Sequence, residues 1–304
     1  MLTDAAVRCL YVSEHAIRQT VSCVYIEFSH LTDEHVYTMG QSFNGREIMP
    51  EWIQRESLGV GIASLMLRRA ERRNALCIGL LEQLCAALEA LAADPVNRVV
   101  LLRGEGPVFS AGLDLLEAAD EALIERSAAG VARALKLLSD GPLVTIAVVQ
   151  GGAFAGGAGL MAACDIVIAA DDARIGFPEA RRGLLPALIG DVLRTRVREG
   201  DLRDLLLTGT SIDAQRARQV GLVQHIVPPA KLLDEALRIA REVLAGGPET
   251  IRATKQLLSA LYGRAGDHTN RSMEAWHLEA RRSDEARAGL QAFLEKRDPP
   301  WTVG

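Results

Sequence analysis

Short apolar runs alternate with helical patterns from residue 52 onward. The runs at 99–102, 143–149 and 165–170 are continuous and stop at turn residues, as expected of strands buried on both faces. Apolar residues spaced by three and four after Asn74 predict a helix that Asn74 caps and that ends at Asp94. Beyond about residue 200 the pattern is mostly helical. Strand–turn–helix units in series predict an α/β fold with helices packed around strands.

The first fifty residues differ from the rest of the chain. They hold three of the six His and three of the four Tyr, whereas the sequence beyond Met49 is rich in Ala, Leu and Arg. One strand-like stretch lies at 21–28. Two interpretations stay open: an N-terminal extension over residues 1–50, or sequence upstream of a true start at Met49.

Composition narrows the class of protein. The chain has 304 residues, 49% of them apolar and 24% charged, with a net charge of −5, which is typical of a globular protein and unfavourable for a broad nucleic-acid surface. Its five cysteines include no C-x-x-C pair, so we expect free thiols, no metal site and a reducing, cytoplasmic location. No apolar run is long enough to predict a membrane span or a secretory signal.

Two glycine-containing turns are candidates for ligand binding. Residues 150–160 read QGGAFAGGAGL, where a buried strand gives way to a helix, and residues 109–114 read FSAGLD after the preceding strand. Glycine lets a ligand approach the backbone, and the free N–H groups of a helix start attract negative charge. Two donors from separate turns can hold one oxyanion. The alternative is that these glycines serve only tight packing.

Other motifs are weaker or missing. Residues 157–162 fit the G-x-G-x-x-A dinucleotide fingerprint, but about seven residues separate the strand from its first glycine, and the helix that follows is short. The sequence contains no G-x-S-x-G elbow, no G-K-[ST] phosphate loop and no H-E-x-x-H. Glu179 follows the apolar residues 175–178, a setting that raises a carboxyl pKa toward a catalytic range; a solvated or ion-paired role is the alternative.

Taken together, these segments resemble the enoyl-CoA hydratase/isomerase (crotonase) superfamily over residues 52–260. Five segments match in order: LRRAERRNAL at 67–76, the turn at 109–114, the glycine-rich turn to Cys164-Asp165, GFPE at 176–179 with RGL at 182–184, and the helices that contain LTG at 207–209 and TK at 254–255. Arg68 and Ala70 stand where the family usually has Asn and Pro.

The resemblance implies a crotonase-like ββα spiral core over residues 51–245 and a C-terminal helical oligomerisation region over residues 246–304, whose helices pack across neighbouring subunits in a homotrimer or hexamer. It implies an acyl-CoA thioester substrate and no separate cofactor, because coenzyme A is part of the substrate. The implied catalytic groups are Glu179 and the backbone N–H groups of Ala111 and Gly156. The implied substrate-binding residues are Ala111, Gly112, Leu113, Asp114, Gly156, Gly159, Arg69 and Arg72.

One departure from the family pattern bears on the reaction. Family hydratases commonly use two glutamates to hold and activate water; Glu179 stands at the second position, but Gly159 stands at the first. The resemblance therefore implies an enoyl-CoA hydratase-type lyase with a single catalytic Glu, with double-bond isomerisation as the alternative. A thioester-binding family member without turnover is a third interpretation.

Overall fold

A computed structural model describes residues 50–262 and 281–297, together with residues 42–43, 46–47, 274–275 and 278. Two compact units divide the chain, Met1–Pro50 and Glu51–Gly304. In the first unit, β1 (Ser42–Phe43) pairs with β2 (Arg46–Glu47) in antiparallel fashion. The strand expected at 21–28 lies outside the described residues. Residues 51–245 and 246–304 fall within the second unit.

We expect a chain that begins at Met49 to fold, assemble and turn over substrate like the full chain. The reason is that every segment of the family pattern lies within the second unit, which starts at Glu51. Circular dichroism, light scattering and steady-state assays on both chains check this prediction. An insoluble or inactive shorter chain would show that the first unit is integral.

A six-stranded sheet forms the core of the second unit. Its strands lie in the order β11-β8-β6-β5-β4-β3, and all neighbouring pairs are parallel except β3 with β4. The strands are β3 (Ile53–Gly59), β4 (Ile62–Leu67), β5 (Val99–Gly104), β6 (Val144–Val149), β8 (Ile166–Ala170) and β11 (His225–Val227). The three strands expected from continuous apolar runs are confirmed as β5, β6 and β8. All six residues of β6 are buried, in agreement with a strand covered on both faces.

A second sheet carries the segments that lead to the glycine-rich turn and to Glu179. Its order is β10-β9-β7, with β7 parallel to β9 and β10 antiparallel to it. The strands are β7 (Gly152–Phe154), β9 (Arg174–Gly176) and β10 (Ser211–Asp213). Because β7 and β9 run side by side, the residues that follow Phe154 and Gly176 start from the same edge of the sheet.

Ten α-helices have both ends defined in the described part of the chain. They are α1 (Ile78–Ala93), α2 (Leu115–Ala119), α3 (Ile124–Asp140), α4 (Gly156–Ala163), α5 (Ala187–Leu193), α6 (Glu199–Thr208), α7 (Ala214–Gln219), α8 (Leu232–Leu244), α9 (Pro248–Leu261) and α10 (Asp284–Leu294). A 3₁₀ helix spans Pro178–Arg182. None of the described helices is both long and apolar enough to cross a membrane.

The expected role of Asn74 as a helix cap is wrong. Helix α1 begins after Cys77, and Asn74 is fully buried with a positive φ of 53°. Its side-chain amide donates to the carbonyl oxygens of Glu105 and Val108, and its Oδ1 accepts from the Arg69 N–H. Asn74 therefore braces the loop that carries the turn at 109–114, which is a tertiary role that periodicity does not reveal.

Helix α9 is attached to the core by a partly buried ion pair. The Lys255 ammonium lies 2.7 Å from Asp165 Oδ2 and also donates to the carbonyl oxygens of Leu138 and Leu143. Helix α10 packs against α2 and the 3₁₀ helix of its own chain. This part of the C-terminal region thus contacts the core of its own chain.

Candidate active site

Backbone hydrogen bonds join the two glycine-containing turns at the carboxyl ends of neighbouring strands. Strands β5 and β6 are parallel partners, so the loops that follow them leave the sheet at the same edge. Ser110 forms a parallel bridge with Ala153, and the Phe154 N–H donates to the Ser110 carbonyl at 3.0 Å. Gly151, with a φ of 60°, passes so close to Pro107 that a Cβ would lie 1.9 Å from its carbonyl oxygen. The relative position of the turns is therefore set by backbone contacts.

The first turn presents the N–H of Leu113, where Ala111 was expected. The Ala111 N–H is engaged, because it donates to the Arg73 carbonyl at 2.9 Å. Leu76 donates to the Gly112 carbonyl and accepts from the Asp114 N–H, so the Leu113 N–H between them faces the other way. It has no hydrogen-bond partner among the described residues. The expectation for Ala111 is corrected accordingly.

The second turn supplies a neighbouring donor at the start of α4. Gly156 is the first residue of α4, and the described residues include no acceptor for its N–H. A Cβ built on Gly156 would lie 3.7 Å from the Leu113 nitrogen, so the two free donors are close. The start of a helix also carries partial positive charge. Two neighbouring backbone donors of this kind can together hold one oxygen atom that carries negative charge.

A cavity of about 560 Å³ opens beside these donors. Ala111, Leu113, Asp114, Gly156, Glu179 and Arg72 line it, so it brings together all three expected catalytic residues and part of the expected binding set. The rest of the wall is mainly apolar and comes from α2, α3, α5 and α10. The further lining residues are Arg73, Ala75, Leu115, Leu116, Val131, Phe154, Ala155, Pro178, Arg182, Leu184, Leu185, Pro186, Leu188, Ile189, Arg281, Phe293 and Leu294.

Glu179 is a buried carboxyl group in the wall of this cavity. It lies in the 3₁₀ helix after β9, is only 6% exposed, and neither of its carboxyl oxygens has a hydrogen-bond partner among the described residues. Burial raises the pKa of Glu179 to about 7, against the opposing charge of Arg182. The solvated or ion-paired alternative is therefore wrong. A carboxyl group that titrates near neutrality can both accept and return a proton.

Arg182 and Phe293 flank the Glu179 segment. The Arg182 guanidinium lies over the Phe293 ring, 4.8 Å from its centroid. Burial lowers the pKa of Arg182, with Glu179 acting in the opposite direction. A cation stacked on an aromatic face is held in place without a carboxylate contact. Arg182 thus lies near Glu179, but it forms no ion pair that would keep the Glu179 carboxyl group ionised.

Gly159 lies inside α4, not in the turn, and a side chain at this position would contact Ile189. The backbone of Gly159 is helical, and a Cβ would lie 3.0 Å from Cγ1 of Ile189. Gly159 is not among the described residues that line the cavity, whereas Ile189 is. At the position where family hydratases carry their first glutamate, the side of α4 is thus covered by an aliphatic side chain from α5.

The remaining expected binding residues divide into exposed and structural groups. Arg72 is exposed and lines the cavity. Arg69 lies in an ion pair with Asp114, 2.5 Å between Nη1 and Oδ2, and does not line the cavity formed by the described residues. Asp114 also caps α2 through the Leu116 N–H. Gly112, with a φ of 95°, shapes the turn itself.

Sequence reasoning assigned no role to Leu113's own N–H or to Arg182, Arg281 and Phe293. Arg182 belongs to the RGL segment, but no feature of that segment indicates that its side chain lines the cavity. Arg281 and Phe293 lie more than one hundred residues from Glu179 along the chain, and no pattern places α10 against the cavity.

We expect Gly112→Ala to lower kcat about tenfold or more. The φ of 95° disfavours any side chain, and a Cβ would lie 2.8 Å from both the Ala155 Cβ and the Phe154 carbonyl oxygen. The turn must shift, and displacement of a donor by a fraction of an ångström weakens an oxyanion hole. Gly200→Ala, in α6 with open space around it, is the matched control and should leave kcat unchanged. Full activity in a folded Gly112→Ala variant would contradict the placement of the donor.

Comparisons with known proteins agree with this geometry. Residues 58–303 match the family described as enoyl-CoA hydratase/isomerase. A Thermus thermophilus protein assigned as an enoyl-CoA hydratase is 40% identical over 78% of this chain and 96% of its own length. An enoyl-CoA isomerase/hydratase of Mycosarcoma maydis is 31% identical over 80% of this chain and 93% of its own length. The crystal structure of an enoyl-CoA hydratase from Mycobacterium avium superposes with a TM-score of 0.74 at 33% identity and covers 84% of this chain and all of that one.

The mixed α/β architecture is that of the crotonase fold, and the chain belongs to the enoyl-CoA hydratase/isomerase family. The resemblance drawn from five short segments is confirmed.

Proposed function

We propose that this protein transfers a proton at a carbon of an enoyl-CoA thioester through an enolate whose oxygen accepts from the N–H groups of Leu113 and Gly156. The observation that carries the proposal is the buried Glu179 carboxyl group, without a partner among the described residues, in the same cavity as two free backbone donors. Removal of a proton next to a thioester carbonyl builds negative charge on that oxygen, which preorganised donors stabilise. Glu179 takes this proton as a general base and returns it as a general acid.

Double-bond migration fits a single carboxyl group best. In that reaction one group takes a proton from one carbon and returns it to another, so no second polar side chain is required. Ile189 covers α4 at Gly159, where a second carboxylate would stand to hold water. A bound water needs several polar partners, which this aliphatic side chain does not supply. The proposed reaction requires the thioester and residues of the chain, with no separate cofactor.

Hydration of a 2-enoyl thioester is the second candidate. The Thermus thermophilus and Mycobacterium avium relatives are assigned as enoyl-CoA hydratases, which favours this activity by association. Family members that bind thioesters without turnover form a third class, which the retained Glu179 and both donors disfavour.

A panel of enoyl-CoA thioesters tests the three candidates. Matched 2-enoyl and 3-enoyl thioesters are incubated with the protein in deuterated water, and products are followed by mass spectrometry. Double-bond migration interconverts the two isomers without a gain of water. Hydration adds one water to the 2-enoyl thioester. Binding without either product would support the non-catalytic class.

We propose that the protein assembles as a trimer or hexamer. Leu257 and Leu258 on α9 are 56% and 50% exposed, and Tyr262, which follows this helix, is 66% exposed. These side chains form an apolar surface that a neighbouring subunit would bury. Light scattering at micromolar concentration should give three or six times the chain mass, and Leu258→Glu should lower it. A monomeric wild-type protein would contradict the prediction.

A further inference from the structure

The cavity contains a second buried charged group that the proposed proton transfer does not use. Arg281 lines the cavity, and the residue is only 2% exposed. Its Nη2 donates to the Ala118 carbonyl at the end of α2, at 2.9 Å. Its Nε and Nη1 have no hydrogen-bond partner within the part of the chain that the structure describes. Most of the hydrogen-bonding capacity of this guanidinium is therefore left for a ligand.

The electrostatic surroundings of Arg281 also point to a ligand. No ion pair among the described residues includes it. Glu117 on α2 acts on it electrostatically, and the Glu117 carboxylate accepts a hydrogen bond from the Ile78 N–H at 2.7 Å. Burial lowers the pKa of Arg281 to about 10, which leaves it charged at neutral pH. A buried guanidinium with unpaired donors is costly unless a ligand completes its environment.

The other cations of the cavity are placed differently. Arg72 and Arg73 are exposed, and Arg182 is stacked on Phe293. The exposed Arg72 and Arg73 can meet the hydrated phosphates of coenzyme A. Arg281 is instead enclosed by α2, which begins two residues after the Leu113 donor. Burial thus separates Arg281 from the exposed arginines that can meet the phosphates.

We propose that Arg281 binds a carboxylate on the acyl chain, so that the substrates of this enzyme are thioesters of dicarboxylic acids. The inference rests on the proposed function, because it assumes that the thioester oxygen lies at Leu113 and Gly156. A carboxylate supplies the acceptor oxygens and the negative charge that the guanidinium lacks. The apolar side chains of Leu115 and Val131 would contact the carbons between the two ends.

Binding measurements test the inference without any turnover. Glutaryl-CoA and pentanoyl-CoA differ in a terminal carboxylate or methyl group, and neither can react as an enoyl thioester. By calorimetry, we expect glutaryl-CoA to bind the wild-type protein at least about a hundredfold more tightly. Arg281→Met should abolish that preference and leave the affinity for pentanoyl-CoA unchanged, while Arg281→Lys should retain part of it. Equal affinities for the two ligands in the wild-type protein would overturn the inference, even if no variant folds.

Two further measurements separate this inference from its alternatives. Free coenzyme A tests whether the anion is a phosphate: an equal loss of affinity for free coenzyme A and for both thioesters in Arg281→Met would overturn the acyl assignment. Kinetics with glutaconyl-CoA and 2-pentenoyl-CoA test turnover, with a wild-type preference of about a hundredfold in kcat/KM expected for the former. Failure of the proposed proton transfer would abolish turnover of both enoyl thioesters but leave the binding preference intact.

Discussion

Glu179→Gln is expected to lower kcat at least about a hundredfold. General acid–base catalysis contributes about 10²- to 10⁴-fold, and the amide can neither accept nor return the proton. Among the lining residues, Asp114 is the one other carboxylate that the structure describes, and it is held by Arg69. No equivalent group therefore remains. The affinity for a non-reactive thioester should change little, because the backbone donors of Leu113 and Gly156 stay in place.

Steady-state kinetics and calorimetry check this expectation together. Glu82→Gln is the matched control, since Glu82 lies exposed on α1 in an ion pair with Arg126, outside the cavity. It should leave both kcat and affinity unchanged. Near-normal turnover by a folded Glu179→Gln protein would show that another group carries the proton.

The second large effect is a loss of wild-type stability with rising pH that Glu179→Gln removes. Burial raises the pKa of Glu179 from 4.5 to about 7, so the folded state holds its proton more tightly than the unfolded state. Below pH 4.5 both states are protonated and no stability is lost. Between pH 4.5 and 7 the unfolded state ionises first, and stability falls as pH rises. Above pH 7 the loss is complete, at about 3 kcal/mol.

Urea unfolding of both proteins at pH 4.5 and pH 8 measures this effect. Other titrating groups contribute equally to the two proteins, so the difference between their free energies of unfolding isolates Glu179. Relative to wild type, Glu179→Gln should gain about 3 kcal/mol between the two pH values. A difference that is independent of pH would mean that the carboxyl group has an ordinary pKa in the folded protein. An enzyme that keeps a buried carboxylate thus gives up stability for activity.

Much of the fold could be predicted from local patterns because the decisive interactions are local. The continuous apolar runs are buried parallel strands, and the turn residues after them mark the edge at which the site lies. Glu179 could be singled out because the apolar residues before it are neighbours in sequence and contribute to its burial.

The donor in the first turn could not be assigned from its motif. Whether Ala111 or Leu113 presents a free N–H depends on Leu76, which pairs with the turn from thirty-seven residues away, and on Arg73, whose carbonyl occupies Ala111. Asn74 was misjudged for the same reason, because its hydrogen bonds reach to Glu105 and Val108. Such long-range backbone contacts leave no periodic signal in the sequence.

The walls of the cavity were also beyond local reasoning. Ile189 covers Gly159 from α5, and Arg281 reaches the cavity from the C-terminal region. Within its own segment, each is an ordinary aliphatic or basic residue. Their positions in the cavity wall result from packing between elements that are distant in the chain.

The groups proposed to carry the reaction and one wall of the cavity come from separate parts of the chain. The donors and Glu179 lie between residues 113 and 179, whereas one wall of the cavity comes from residues 281–294. The two parts are encoded far apart, so the terminal segment can diverge without disturbing the chemistry. If Arg281 binds the acyl chain as proposed, exchange of that segment between relatives is a route by which acyl preference can evolve, or be engineered, within one catalytic framework.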